Sequence, residues 1–188
     1  YASSTRVYGD PMPNVVTERT PYGSFTDLSH LSKCYAEKLL EMYCADRELT
    51  GLSLRLGLAF GLSPTMKTDY RFMTAPNKFA LQAVRGETIA VHTSSWVGAV
   101  HVADAAAGLI YLAELQAPSG YHVFNLAPVV VRIDDIARAV AKEAESRGMP
   151  IELEMNHAPN GPTEMPNVRS ELMRSGFEPV WTLEAGIS

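Results

Sequence analysis

Apolar side chains at Leu28, Leu31, Tyr35, Leu39, Met42 and Tyr43 recur at three- and four-residue steps. That spacing predicts one amphipathic helix over residues 28–49, with Tyr35 and Met42 read as core positions. Thr26 or Asp27 is placed to cap its start, and Gly51 closes the helical region. Residues 52–60 (LSLRLGLAF) are short, apolar and flanked by glycine, which predicts a buried strand. Short strands follow at 88–92, 97–102, 121–126, 129–132 and 151–155. Helices are predicted at 77–84, 104–116 and 134–147, the last with Ile136, Ala137, Val140, Ala141 and Ala144 along one side. Residues 10–27 and 61–74 have the Pro, Asn, Gly and Asp content of loops, and 168–173 is weakly helical. Helices alternating with buried strands imply an α/β protein with a largely parallel sheet.

Composition narrows the function classes. The chain has 188 residues, 46% hydrophobic and 20% charged, as in an ordinary globular protein of one domain, or of one large and one small lobe. A net charge of −5 without a long basic run argues against nucleic-acid binding. No apolar stretch reaches the ~18–20 residues of a membrane span, so no membrane partner is expected. Cys34 and Cys44 fall ten residues, or ~15 Å, apart on the same helix, too far for a bond within it. Reduced thiols and a cytoplasmic setting are the resulting expectation. The five histidines show no ligand spacing with Cys or carboxylates, so no metal is expected. Position 1 is Tyr rather than Met, which raises the expectation that something upstream is missing or supplied separately.

Six segments, in order, carry a resemblance. They are Ser3-Ser4-Thr5-Arg6-Val7-Tyr8-Gly9, Leu31-Ser32-Lys33-Cys34-Tyr35-Ala36-Glu37, Leu54-Arg55-Leu56-Gly57-Leu58-Ala59-Phe60-Gly61, Val100-His101-Val102-Ala103-Asp104, Phe124-Asn125-Leu126 and Gly176-Phe177-Glu178-Pro179. Together they resemble the extended short-chain dehydrogenases, in the NAD(P)-dependent sugar-nucleotide epimerase/dehydratase branch typified by UDP-glucose 4-epimerase. The resemblance implies the later half of a Rossmann-type doubly wound parallel sheet with a smaller α+β substrate-binding lobe. Residues 1–60 plus 97–126 would form the partial dinucleotide-binding domain, and 61–96 plus 127–188 the substrate lobe. The family's glycine-rich loop, which places backbone N–H groups on the cofactor pyrophosphate, does not occur in this chain. An upstream block on the order of 100 residues would hold it.

The resemblance also implies roles. Lys33 fits the family lysine, which binds the nicotinamide ribose and lowers the pKa of a tyrosine four residues earlier. Ser4 fits the Ser/Thr that shares the substrate hydroxyl's proton. Ser29 stands where the family has its catalytic Tyr, and a serine hydroxyl is shorter and far less acidic than a phenol. His30, about 100° around the helix from Ser29, and Tyr22 in the preceding loop are the alternative bases. Lys33 could instead pair with Glu37 at i+4, and Ser4 could serve only its turn. Tyr8 either packs in the core or lines a sugar pocket. Asn77 either contacts the nucleotide phosphates or caps a helix. His101 is read as a structural histidine and Asp104 as a helix N-cap. Trp96-Val97-Gly98-Ala99 stands where the family has a basic residue.

The function implied is an NAD(P)-dependent epimerase or dehydratase acting on a nucleotide sugar, with NAD or NADP as cofactor. The alternative is a catalytically inactive relative that serves as a binding or scaffold protein. The expected partners are the nucleotide sugar and either a second copy of the chain or the missing N-terminal portion.

Overall fold

The computed structural model describes residues 1–9, 11–25, 27–46, 48–67, 69–156 and 164–188. Three parallel strands lie side by side in the order β1 (Ala2–Ser4), β3 (Thr50–Leu56) and β7 (Gly120–Leu126), with Leu54 opposite both Ala2 and Phe124. Alternation along β3 sorts its side chains to two faces. Leu52, Leu54 and Leu56 meet α3 (Val102–Glu114) and α5 (Glu171–Arg174) in an apolar cluster with Leu112, Leu126 and Leu172. On the other face Arg55 reaches α1 (Leu28–Ala45). This arrangement, helices on both faces of a parallel sheet, is the Rossmann-type α/β organisation expected from the sequence.

A second sheet orders β4 (Leu58–Phe60), β6 (Trp96–His101) and β8 (Val129–Arg132), with β4 parallel and β8 antiparallel to β6. Two short parallel pairs complete the strands. One joins β5 (Ile89–Val91) and β9 (Leu153–Met155), the other β2 (Val15–Val16) and β10 (Asn167–Val168). Helices α2 (Ala75–Val84), α4 (Ile133–Ser146) and α6 (Leu183–Ile187) pack around Phe60, Phe79, Ile89, Ile136 and Val140. Ile136, Ala137, Val140 and Ala144 are buried as their spacing predicts.

The expected strand 52–60 is two strands in two sheets. The chain crosses between them at Gly57, whose N–H donates to the Leu126 carbonyl at 2.9 Å. A Cβ there would lie 2.6 Å from the Gly98 carbonyl oxygen, so only glycine permits this crossing. Gly51 belongs to β3 rather than closing α1, and α1 ends at Ala45. Val168 is in a strand, and the helix nearby begins at Glu171. Asp27 caps α1 by accepting the Ser29 N–H at 2.6 Å, while Thr26 and His157 lie outside the described residues.

The largest departure concerns α1. Leu28, Leu31, Tyr35, Leu39, Met42 and Tyr43 are exposed, Tyr35 at 68% and Met42 at 67%. The helix instead buries Cys34, Glu37 and Cys44, because the sheet face beneath it carries Ser3 and Arg55, which need a polar partner. Both cysteines are free thiols. Asp104 lies inside α3 and does not cap it; that role belongs to His101, whose Nδ1 accepts the Ala103 N–H at 3.3 Å. Both Asp104 carboxylate oxygens accept backbone N–H groups, from Val180 at 3.1 Å and Trp181 at 3.0 Å. The segment before α6 is thereby held against His101, on which Trp181 stacks at 4.0 Å.

Candidate active site

A cavity of about 330 Å³ opens beyond the carboxyl ends of β1 and β3. In open α/β sheets that is where ligands bind, because the connections leaving the strands part there. Ser4 closes β1 and enters the wall, followed by Thr5 and Arg6 of a short 3₁₀ turn (Thr5–Tyr8). The turn is capped by Ser4 Oγ, which accepts the Arg6 N–H at 3.2 Å. Gly57 and Gly98 bring backbone close to the opposite wall, and His30 enters from the first turn of α1. The volume suits a hexose-sized group, and a hydroxyl, an imidazole and a guanidinium in one wall suit a polyhydroxylated or anionic ligand.

The other expected site residues are placed as follows. Lys33 Nζ donates to the Ala2 carbonyl at 2.9 Å and sits 5.2 Å from the Tyr1 ring centroid. It is therefore tied to the strand that ends in Ser4, roughly 7 Å of strand upstream, and it does not pair with Glu37. Ser29 is exposed, its carbonyl accepting from Ser32 Oγ, and it takes no part in the cavity wall. Tyr8 is buried, and its hydroxyl donates to Asn125 Oδ1 at 2.6 Å and accepts from Arg55 Nη1 at 2.9 Å, so it packs beneath the site rather than lining it. Asn77 clamps the backbone of Gly61, accepting its N–H at 3.0 Å and donating to its carbonyl at 3.3 Å. That places Asn77 on a second, mostly apolar cavity of about 450 Å³ among α2, α4 and α6, away from Ser4. The structure thus joins Ser4, His30 and, through β1, Lys33, and leaves Ser29, Tyr8 and Asn77 apart.

Under the site lies a buried polar cluster that sequence reasoning missed. Glu37 is fully buried and receives Arg55 Nε at 3.0 Å and Nη2 at 2.6 Å, the Tyr22 hydroxyl at 2.9 Å, and the Ser3 hydroxyl. Burial pushes the Glu37 carboxyl up, but the hydrogen bonds from Arg55, Ser3 and Tyr22 and the Arg55 charge together bring it below the usual range. Burial and the Glu37 charge raise the Tyr22 phenol well above its usual value, so Tyr22 is locked as a donor. The available signal was Arg55 itself, since a charged residue inside an otherwise apolar strand must find a partner.

The fold is that of a Rossmann-type α/β protein, with a cavity at the carboxyl edge of the sheet. The chain belongs to the NAD dependent epimerase/dehydratase family, whose model matches residues 1–127. Solved structures similar in fold include UDP-glucose 4-epimerase from Bifidobacterium longum, in complex with NAD+ and UDP, at 23% identity and TM-score 0.76. UDP-glucose 4-epimerase from Thermus thermophilus, in complex with NAD, is 22% identical with TM-score 0.74. The ADP-L-glycero-D-manno-heptose-6-epimerase of Helicobacter pylori is 16% identical with TM-score 0.75. These matches cover 99%, 100% and 100% of this chain, but the chain covers 60%, 60% and 56% of the matched proteins. No curated protein sequence matches the chain significantly.

Proposed function

We propose that the chain forms the substrate-side part of an NAD(P)-dependent epimerase or dehydratase acting on a nucleotide sugar. The observation that carries this reading is the Ser4 hydroxyl in the wall of a sugar-sized cavity at the carboxyl ends of β1 and β3. The three solved structures named above are epimerases; one is bound to NAD+ and UDP and another to NAD. In this reading residues 1–60 plus 97–126 belong to the dinucleotide-binding domain and 61–96 plus 127–188 to the substrate lobe. The cytoplasmic setting belongs to the same reading.

Lys33, fixed at the Ala2 carbonyl, stands where it can hold a ribose hydroxyl beside β1, which is the fit this chain offers a nicotinamide dinucleotide. The cofactor would supply hydride acceptance and return. Ser4 donates a hydrogen bond to the sugar oxygen as its charge changes, and its Oγ is already oriented by the Arg6 N–H. Arg6 brings positive charge to the same wall.

Thermal unfolding with UDP-glucose and NAD tests this reading. Ligand at about one hundred times its dissociation constant adds about 2.7 kcal/mol to stability, a clear rise in midpoint. No rise with UDP-glucose, UDP-N-acetylglucosamine or an ADP-heptose would reject nucleotide-sugar binding. A second reading, an inactive relative, is favoured by Ser29 standing outside the cavity wall. Turnover that is absent in the native chain and gained in Ser29→Tyr would support it.

Self-association through α1 is part of the proposal, because its apolar side chains from Leu28 to Tyr43 face outward. Association of that face with an upstream portion of the protein is the competing outcome.

A further inference from the structure

We propose that His30 is the proton-transfer group of this cavity, replacing the residue at position 29. The inference rests on the nucleotide-sugar reading above and names the side chain that performs its acid–base step. Three observations lead to it. His30 and Ser4 share the cavity wall, whereas Ser29, one residue away on α1, is exposed outside it. A one-residue step turns the side-chain direction by about 100°, which is how neighbours on one helix come to face cavity and solvent. Second, Asp27 Oδ1 stands 3.9 Å from His30 Nδ1 and is itself fixed by the Ser29 N–H at 2.6 Å. The Asp27 carboxylate therefore stands on the Nδ1 side of the ring, and Nε2 is the nitrogen proposed to act in the cavity. Third, the phenols of Tyr22 and Tyr8 are committed elsewhere. Tyr22 donates to Glu37, Tyr8 donates to Asn125, and Tyr35 is exposed.

The O–H bond of a sugar hydroxyl breaks and its proton passes to His30 Nε2. An oxidised nicotinamide dinucleotide held at Lys33 would supply the hydride acceptor for the adjacent C–H bond, so that the carbinol would become a ketone. His30 Nε2 would return the proton to the oxygen when the dinucleotide gave the hydride back. Ser4 donates its hydroxyl hydrogen to the same sugar oxygen, and imidazole replaces phenolate as the base.

Ring-resolved histidine NMR of the full chain, titrated with UDP-glucose, tests the placement; His30→Gln identifies the signal and the Trp96 indole reports cavity occupancy. Both signals are expected to move together. With NAD present, His30→Gln is expected to lower turnover about 100-fold or more, with UDP-glucose affinity within about threefold, since Ser4 and Arg6 remain. Thermal unfolding confirms that the variant is folded. Movement of Trp96 without His30 overturns the inference and leaves nucleotide-sugar binding standing. So does a loss in Ser29→Ala that matches or exceeds that in His30→Gln. If neither signal moves, the nucleotide-sugar reading falls and this inference falls with it.

Discussion

Glu37 shows how one side chain can govern a site it never touches. It lies on α1 four residues beyond Lys33, and it ties that helix to β1 through Ser3 and to β3 through Arg55. Lys33 in turn meets the Ala2 carbonyl of β1, so the distance between helix and strand sets where the ammonium stands relative to Ser4. Glu37→Gln keeps the shape but leaves the Arg55 guanidinium, 4% exposed, without a counter-charge. Breaking one side of a buried pair costs about 3–5 kcal/mol, and denaturant unfolding should show a loss of that size. The pH dependence has a definite sign. A carboxyl held below its ordinary value of 4.5 stabilises the fold fully above that value and loses its contribution as pH falls through the lower folded value. Acid unfolding of the native chain should therefore steepen below about pH 4.5, and the Glu37→Gln curve should be flatter there.

At the scale of elements, Gly57 divides what would otherwise be one long strand. The crossing from the first sheet to the second at this residue forms part of the cavity wall, with Gly98 close behind it. Gly57→Ala places a methyl 2.6 Å from the Gly98 carbonyl oxygen, which can be relieved only by moving backbone. A cost of about 1–3 kcal/mol should appear in calorimetry, together with weaker UDP-glucose binding. The break was hidden in the sequence because LSLRLGLAF reads as one continuous apolar run, and periodicity alone does not show where a strand changes sheets. Other elements were legible. Strand β8 spans residues 129–132 as its pattern indicates, and α4 buries the expected Ile136, Ala137, Val140 and Ala144. Helix α1 lay between these cases. Its extent was readable nearly to the end, but it carries two stripes at helical spacing. One is Lys33, Cys34, Glu37 and Cys44; the other is Leu28, Leu31, Tyr35, Leu39 and Met42. Hydrophobicity selects the second stripe, while the buried Arg55 on β3 draws in the first. The motif singled out Ser4 and Lys33 as candidates, but the exclusion of Ser29 from the cavity and the entry of His30 depend on helix roll, which only the tertiary contact fixes.

At the scale of the whole molecule, that outward stripe on α1 becomes a question of assembly. Six apolar side chains along eighteen helical residues form an exposed band, whereas Ile110 is the one large apolar side chain of α3 that is exposed. A self-complementary pairing of two α1 helices about a two-fold axis would cover the band on both copies at once. Sedimentation equilibrium should then give a particle of two chains. Leu31→Glu with Met42→Lys should shift it to one chain without lowering the unfolding midpoint, since both positions are exposed before association. Central apolar anchors of this kind contribute about 2 kcal/mol or more each, so even Leu31→Glu alone, which removes one from both copies, should weaken the dimer by roughly three orders of magnitude. Ile110→Glu, on a different helix, should leave the particle unchanged. Should the native chain sediment as one chain at every concentration, α1 does not join two copies.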